Sequence, residues 1–152
     1  MTLLCFSHLR WDFVYQRPQH LMSRFAKHYT VYVIEEPVFH DGADYYAIQK
    51  TTEKVHVVKP YLNNDRLHVD ERLKYITDTF IEEQQIGNFI AWYYSPMYLE
   101  FTQHLNPLLI VYDCMDELSA FKFAPPQLKQ AEKNLLQKAD IVFTGGNSFY
   151  NA

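Results

Sequence analysis

Glycine is scarce in this chain of 152 residues, which contains only four, and none of them precedes Gly42. A dinucleotide-binding Rossmann domain needs a Gly-x-Gly-x-x-Gly turn after its first strand, because the backbone there must approach a pyrophosphate closely. The residues before Gly42 offer no such turn. The sequence therefore excludes this type of cofactor site at the first turn.

Cysteine is also rare, with Cys5 near the start and Cys114 far along the chain. Two cysteines at this separation form neither a disulfide framework nor a zinc-ligand spacing, and they fit a reducing compartment. The first apolar run covers only residues 2–6 before Ser7 and His8 interrupt it. Because that run is too short for a signal-peptide core or a membrane span, we expect a cytoplasmic protein.

Clusters of positive charge are missing too. The formal net charge is −4, and no run of Lys and Arg is longer than two residues. Such a chain offers no basic field to a phosphate backbone, so nucleic acid is not an expected partner.

Aromatic residues, by contrast, are abundant, since 12 Tyr and 11 Phe contribute to an aromatic share of 16%. Sugars present apolar faces that stack on aromatic rings, so some of these side chains could serve a carbohydrate site. A Tyr-rich core and surface is the alternative explanation for each ring.

Six short β-rich runs recur along the chain, at residues 2–6, 30–34, 54–58, 88–93, 108–112 and 140–144. Several are nearly continuous in apolar residues, which is typical of parallel strands that are buried on both faces. Helical stretches separate the runs. The sequence therefore predicts one domain with a doubly wound, mostly parallel, Rossmann-like α/β sheet, in the strand order 3-2-1-4-5-6.

Prolines mark the starts of three of the four predicted helices, at Pro18, Pro96 and Pro126, where the missing N–H is not needed. The remaining helix has apolar residues at positions 69, 73, 76 and 80, and we expect Asn64 or Asp65 to cap it. Residues 37–52 show little periodicity, which predicts an irregular excursion that could act as a mobile flap.

The candidate site lies where the winding of the sheet reverses, beyond the carboxyl ends of the first and fourth strands. Two loops meet at that edge, one over residues 7–16 and one that begins with Tyr93, Tyr94 and Ser95. Asp113 follows the fifth strand at the same edge. We expect His8 and Asp113 to be catalytic. The expected substrate-binding residues are Arg10, Trp11, Arg17, Tyr94 and Ser95.

His8 could exchange protons near neutrality, because an unperturbed imidazole has a pKa of ~6.5. It could equally be a structural hydrogen-bonding group. Trp11 is either a core side chain or a stacking platform for a sugar. Arg17 opposes the positive end of a helix dipole, at a cost of ~0.3–1 kcal/mol, which makes it a candidate for function. The alternative is a structural pair with Asp12 or Glu35.

Three carboxylates, Asp113, Asp116 and Glu117, stand at the end of the fifth strand. Carboxylates at such an edge can orient hydroxyls, act as a base or bind a cation. Asp116 and Glu117 are better explained as favouring the N-terminus of a following helix. Asp113 lies nearest the crevice and is the one favoured for function.

Two blocks of the sequence resemble a known family. The stretch His8-Leu9-Arg10-Trp11-Asp12, then Gln16 to Leu21 and Glu36-Pro37, resembles the opening of bacterial GT-B glycosyltransferases of the family-four, glycogen-phosphorylase-like superfamily. The matching subgroup is associated with cell-surface polysaccharides. A second block, Tyr112 to Leu118 and then residues 139–144, resembles the ends of the fifth and sixth strands of the same domain. The resemblance covers nearly the whole chain.

This resemblance implies transfer of a sugar from a nucleotide-sugar donor to a glycan or lipid-linked acceptor, without a bound metal or other cofactor. Such enzymes bind the acceptor in an N-terminal domain and the donor mainly in a C-terminal one. We therefore expect residues 1–152 to be the acceptor-side domain, to end before the donor-binding domain, and to be inactive alone. The resemblance leaves open a peripheral association with the inner face of the plasma membrane through the full-length protein.

Two other functions remain open from the residues themselves. One is a self-contained Rossmann-like hydrolase or epimerase that uses His8 and Asp113. The other is a non-catalytic module that binds a sugar or a nucleotide.

The sequence predicts that turnover by the full-length protein needs no metal ion. Its acidic cluster lacks the Asp-x-Asp spacing of metal-dependent GT-A transferases, and no set of His and carboxylate residues has convincing ligand spacing. Chelation with EDTA should therefore leave sugar transfer largely intact. Loss of turnover on chelation, with recovery when Mn²⁺ or Mg²⁺ is added, would contradict this prediction.

Overall fold

The structure is a computed structural model that describes residues 1–12, 17–114 and 125–144. In these ranges eight strands form one sheet, in the order β3-β5-β2-β1-β6-β7-β8, and β4 pairs with β5. The strands are β1 Thr2–Phe6, β2 Thr30–Ile34, β3 Val38–His40, β4 Tyr45–Lys50, β5 His56–Asn63, β6 Phe89–Tyr93, β7 Leu109–Cys114 and β8 Ile141–Thr144.

The helices in the described ranges are α1 Arg17–Phe25, α2 Val69–Glu83 and α3 Pro126–Lys138, with a 3-10 helix at Pro96–Phe101. All of them coincide with helices predicted from the sequence. None of the helices that the structure describes has the length and apolar character needed to cross a membrane.

The predicted fold class and strand order are confirmed. The six predicted strands correspond to β1, β2 and β5 to β8, which lie in the order β5-β2-β1-β6-β7-β8 and pair in parallel. β1 is central and pairs in register with both neighbours, so that Phe6 lies opposite Ile34 on one side and Tyr93 on the other. The chain therefore winds outward from β1 in both directions, as a doubly wound sheet requires.

Both faces of the sheet are buried, which explains why its strands are continuously apolar. Successive residues of a strand point to opposite faces, and on β1 Leu4 and Phe6 join one core cluster while Leu3 and Cys5 join the other. Residues of α2, the 3-10 helix and α3 complete the first cluster. Met22 of α1 and Trp11 contribute to the second.

The predicted irregular excursion over residues 37–52 is wrong, because this segment contains β3 and β4. β4 runs antiparallel to β5, with Tyr45 opposite Tyr61 and Lys50 opposite His56. Burial alternates along β4, since Tyr46 and Ile48 pack against the first core cluster while Tyr45, Ala47 and Gln49 are exposed. The residue types do not follow this alternation, because the strand begins Tyr-Tyr-Ala-Ile, so the period-2 pattern that marks a half-buried strand is missing from the sequence.

Arg72 of α2 fixes the β4 hairpin to the rest of the domain. Its Nε and Nη2 atoms each donate to the Asp44 carboxylate at 2.7 Å, and its Nη1 donates to Asp65 at 2.6 Å. The hydrogen bonds from Arg72 are the main cause that lowers the pKa of Asp44 from 3.8 to about 2. Asp44 consequently stays ionised, and the clamp persists, throughout the neutral range.

The start of α2 differs from the prediction that Asn64 or Asp65 caps it. The residue at the cap position is His68, in the left-handed region at φ 51°, and it makes no side-chain capping hydrogen bond. Asp65 instead accepts a hydrogen bond from the Leu67 N–H at 3.0 Å. Four residues in the described ranges, none of them glycine, adopt positive φ: Lys54, Arg66, His68 and Gln85.

Two substitutions on α2 separate its buried and exposed faces. Phe80 is 1% exposed and its ring packs edge-on against Tyr32 and Tyr46, so Phe80→Ala should lower the free energy of unfolding by about 3–5 kcal/mol. Tyr75 is 74% exposed, and Tyr75→Ala should change it by less than about 0.5 kcal/mol. Urea denaturation measures both values, and equal costs at the two positions would contradict this arrangement of α2.

Candidate functional site

Backbone hydrogen bonds at the carboxyl ends of the central strands fix where the two predicted loops, after β1 and after β6, leave the sheet. After β1, the Ser7 N–H donates to Ile34 O at 3.0 Å, which extends the pairing with β2. On the other side, the Tyr94 N–H donates to Phe6 O at 2.9 Å. The loop after β1 and the loop after β6 therefore leave the sheet from adjacent positions, at the point where the winding reverses.

Glu35 anchors the loop after β1, although the sequence suggested it only as a partner of Arg17. The Glu35 carboxylate is 1% exposed and its Oε2 accepts the Trp11 N–H at 2.5 Å. Its Oε1 lies 3.5 Å from Arg10 Nη1. On the far side, the buried Gln19 amide donates to Trp11 O at 3.0 Å. These contacts fix the backbone of the loop. The only feature of the sequence that pointed to them is the position of Glu35 directly after β2.

Arg10 and Trp11 both make structural contacts. The guanidinium of Arg10 donates to Glu36 O at 2.5 Å and to Pro37 O at 3.2 Å, which joins the loop to the chain after β2. The Trp11 side chain is 7% exposed and belongs to the second core cluster. This packing is that of a core residue, and contact of either side chain with substrate stays a prediction.

Arg17 forms an ion pair with Asp113, the carboxylate favoured from the sequence. Arg17 Nε donates to Asp113 Oδ2 at 2.8 Å, and the side-chain exposures are 40% for Arg17 and 0% for Asp113. The prediction that Arg17 pairs with Asp12 or Glu35 is wrong, because its partner is Asp113. Asp12 lies instead 3.9 Å from Lys59 Nζ. The pair joins the start of α1 to the end of β7, which are distant in sequence.

Tyr94 lies near Asp113 of this ion pair, and its buried ring belongs to the second core cluster together with Met22 of α1. Burial, followed by the nearby Cys5 and Asp113, raises the pKa of the Tyr94 hydroxyl far above its usual range. Burial and the charge of Asp113 likewise raise the pKa of the Cys5 thiol. Both groups are therefore neutral at physiological pH, and Asp113 faces hydroxyl and thiol groups that remain protonated.

Several polar atoms of this cluster are buried without a hydrogen-bond partner in the described part of the chain. They include Asp113 Oδ1, the Tyr94 hydroxyl and Trp92 Nε1, none of which makes a hydrogen bond of good geometry, although the Tyr94 hydroxyl lies close enough to Asp113 and Trp92 to interact with both. A buried polar group without a partner costs about 1–3 kcal/mol, so each such group in a native fold requires an explanation. An incoming hydroxyl that donates to Asp113 Oδ1 would provide one, because that oxygen is already positioned by the bond from Arg17 to its neighbour.

His8 follows Ser7 in the fixed part of the loop. The Ser7 carbonyl accepts the buried Tyr98 hydroxyl at 2.7 Å, and His8 itself is half-buried. The His8 Nδ1 atom is buried without a hydrogen-bond partner among the described residues. No hydrogen bond or ion pair recorded in those residues joins His8 to Asp113, so the structure brings Asp113 together with Arg17 and Tyr94 but not with His8.

Ser95 belongs to a different part of the same edge. Its Oγ accepts the Met97 N–H at 3.3 Å and caps the 3-10 helix. Ser95 also lines an open groove of about 330 Å³ between the chain after β2, the start of α2 and the 3-10 helix. We call this the apolar groove, and its main lining residues are Phe39, Val69, Leu73, Met97, Tyr98 and Phe101, with Glu36 and Asp70 also present. It assembles from three separate segments, which is why no local pattern predicted it.

The other two carboxylates of the predicted cluster, Asp116 and Glu117, lie outside the described residues. Within residues 1–12, 17–114 and 125–144, no group of three or more His, Cys, Asp or Glu side chains could hold a metal ion.

Comparisons with known proteins bear on the fold. No family model matches the chain, and no curated protein matches it. Solved structures do match in three dimensions, and two of them follow. The first is an E. coli trehalose-6-phosphate synthase bound with UDP-2-fluoro glucose, with a TM-score of 0.56 and 11% identity. The second is sucrose-phosphate synthase from Thermosynechococcus elongatus, with a TM-score of 0.59 and 10% identity.

The fold is one found in GT-B glycosyltransferases. Each comparison covers 93% of this chain, but only 39% of the E. coli chain and 41% of the Thermosynechococcus chain. The chain therefore spans about two fifths of the length of the structures that it matches. At these identities the likeness establishes the fold alone.

The ion pair between the partly exposed Arg17 and the buried Asp113 predicts coupled effects on stability. Arg17→Met leaves the Asp113 carboxylate buried without its cation and should lower the free energy of unfolding by about 1–3 kcal/mol. The double variant Arg17→Met/Asp113→Leu removes the buried charge and should recover about 1 kcal/mol or more. As a control, Lys59→Met breaks only the longer pair with the exposed Asp12 and should cost less than about 1 kcal/mol. Urea denaturation measures the free energy of unfolding of the two single variants and of the double variant. If the two single changes add up to the change in the double variant, the pair is not coupled.

Proposed function

We propose that this chain is the acceptor-side domain of a GT-B glycosyltransferase. In this proposal the full-length enzyme transfers a sugar from a nucleotide-sugar donor to a glycan or lipid-linked acceptor in the synthesis of cell-surface polysaccharide. The enzyme would work at the inner face of the plasma membrane, without a metal or other cofactor. The shared fold supports the proposed class of enzyme. The residues at the switch point support the proposal that this domain binds the acceptor.

The observation that carries the proposal is the buried, half-bonded carboxylate of Asp113. Arg17 holds Oδ2, while Oδ1 is buried without a hydrogen-bond partner in the described residues. Because the Asp113 side chain is 0% exposed, a sugar hydroxyl would reach Oδ1 only after the groups that cover it move aside, and the carboxylate would then hold it in one orientation or act as its base. Tyr94 remains protonated beside it and can donate a hydrogen bond from the same pocket.

The apolar groove gives the acceptor a second contact surface. The apolar groove lies at the same carboxyl edge of the sheet. Arg10, in the loop after β1, donates to the carbonyls of Glu36 and Pro37, which line the groove. Its exposed Met97 and the rings of Phe39 and Phe101 suit the apolar face of a sugar or the lipid part of a lipid-linked acceptor. In this arrangement His8 would contact the acceptor as a hydrogen-bonding group or proton-transfer group.

The donor would be bound mainly by a second domain. Two domains that close around both substrates provide orientation and exclude water, which favours transfer to the acceptor over hydrolysis. The proposal therefore requires that residues 1–152 alone transfer no sugar. The chain corresponds to only about two fifths of the matched enzymes, which is compatible with this division.

The direct experiment is an assay of the full-length protein with a panel of UDP-, GDP- and dTDP-sugars. Release of nucleoside diphosphate that depends on an added oligosaccharide or polyprenyl-phosphate-linked acceptor would support the proposal. Release of free sugar without any acceptor dependence would favour a hydrolase. Binding of a sugar nucleotide without turnover under every condition would favour a non-catalytic module. Robust transfer by residues 1–152 alone would overturn the two-domain account.

His8 provides the test of the acceptor side. His8→Ala in the full-length protein should lower kcat/KM for the acceptor by at least about tenfold, equivalent to roughly 1.4 kcal/mol of transition-state binding. Affinity for the donor, measured without acceptor, should change little because the donor belongs to the other domain. His28→Ala is the matched control, since His28 is exposed just after α1 and should leave both values unchanged. A loss of stability with unchanged kinetics would instead assign His8 a structural role.

A further inference from the structure

Ser7, the residue before His8, uses all of its polar groups in hydrogen bonds. Ser7 is 1% exposed, and its N–H donates to Ile34 O at 3.0 Å. Its Oγ accepts the Leu9 N–H at 3.1 Å, which closes a short turn around His8. Its carbonyl oxygen accepts the Tyr98 hydroxyl at 2.7 Å. The backbone that leads into His8 is therefore fixed by three separate contacts.

The hydroxyl of Tyr98 links this turn to a distant part of the chain. Tyr98 belongs to the 3-10 helix after β6 and lies 91 positions after Ser7. Its side chain is 5% exposed, and its ring packs against the rings of Phe6 and Phe101. Burial is the main cause that raises the pKa of the Tyr98 hydroxyl well above its usual value. The hydroxyl consequently stays protonated and remains a donor throughout the physiological range.

The His8 imidazole depends on this backbone for its position. Its Nδ1 atom is buried without a hydrogen-bond partner in the described residues, so the ring has no polar anchor of its own at that atom. A ring of this kind shifts with its backbone, and a displacement of about 1 Å can lower a catalytic rate by about a hundredfold. The contact from Tyr98 to Ser7 therefore bears on any reaction that uses His8.

Tyr98 also contacts the second part of the proposed acceptor site, because its ring lines the apolar groove. The same side chain thus forms part of the groove wall and holds the Ser7 carbonyl. An aromatic ring is rigid, and packing on both sides confines its rotamer. Functional groups reach a productive geometry when residues locked in this way support them from behind.

We propose that Tyr98 is a positioning residue for His8, and that its hydroxyl sets the distance between the imidazole and the apolar groove. An acceptor that lies in the groove then presents its hydroxyl to His8 in one place. This role rests on the proposed function of the domain in sugar transfer. Loss of the Tyr98 hydroxyl leaves the groove wall intact but displaces the imidazole, which lowers kcat without weakening the binding of acceptor.

The test is Tyr98→Phe in the full-length protein, with Tyr93→Phe as the matched control. Each change removes one buried tyrosine hydroxyl that makes a hydrogen bond of 2.7 Å, but the partner of Tyr93 is Thr102 and not the loop after β1. Tyr98→Phe should lower kcat by at least about tenfold. The KM for the acceptor should stay within about twofold. Tyr93→Phe should change neither value.

A second readout reports on His8 without any transfer reaction. Diethyl pyrocarbonate modifies unprotonated imidazoles, and peptide mass spectrometry gives the rate at each histidine. His8 should react at least about threefold faster in Tyr98→Phe than in the parent protein, because a loop that has lost an anchor opens more often. Tyr93→Phe should leave the rate at His8 unchanged. The exposed His28 should react equally in all three proteins.

These measurements separate failure of this role from failure of the proposed function. An unchanged rate of modification at His8 in Tyr98→Phe would overturn the role, and so would an unchanged kcat. Equal losses of kcat in Tyr98→Phe and Tyr93→Phe would also overturn it, since they would show only the general effect of a lost buried hydrogen bond. If the parent protein transfers no sugar, the proposed function fails, and the modification rates alone decide whether Tyr98 positions His8.

Discussion

The pairing of β1 with β2 on one side and β6 on the other is the constraint on which the rest of the molecule depends. Because both pairings are parallel and in register over Thr2 to Phe6, the chain must leave β1 and β6 at the same edge and then wind away in opposite directions. The crevice between their loops follows from backbone hydrogen bonding alone. The side chains of the loops after β1 and β6 are placed by their distance from these strand ends, whereas Asp113 is placed by the end of β7 and Arg17 by the start of α1.

The buried charges at that edge show how the fold gives chemical character to this crevice. Glu35 and Asp113 are each at most 1% exposed, and both receive hydrogen bonds from segments far away in sequence. Glu35 has a structural task, since it holds the backbone at Trp11. Asp113 is bonded on only one oxygen within the described residues. Neither Glu35 Oε1 nor Asp113 Oδ1 has a hydrogen-bond partner in the described residues, but Glu35 Oε1 faces Arg10 at 3.5 Å, whereas the cation beside Asp113 is bonded to its other oxygen.

The sequence predicted the large-scale order well because that order depends on patterns that persist over many residues. Continuous apolar runs gave the six parallel strands, and prolines gave the helix starts. It missed β4, whose residue types do not alternate although their burial does, and the cap of α2, where His68 is held in the left-handed region. It named Asp12 or Glu35 as the partner of Arg17 and missed Asp113, because nothing in the sequence shows that the start of α1 meets the end of β7. The apolar groove combines separate segments and has no local signature.

The turns of this domain are formed with very little help from glycine. Of the residues at positive φ in the described ranges, Lys54, Arg66, His68 and Gln85 all carry a side chain, and such conformations cost of order 1 kcal/mol or more when the residue is not glycine. Gln85 occupies the position just after α2 where glycine is most frequent in proteins. The domain thus carries conformational strain at an ordinary helix end, which leaves room to raise its thermal stability by engineering at a position outside the loops of the switch-point crevice.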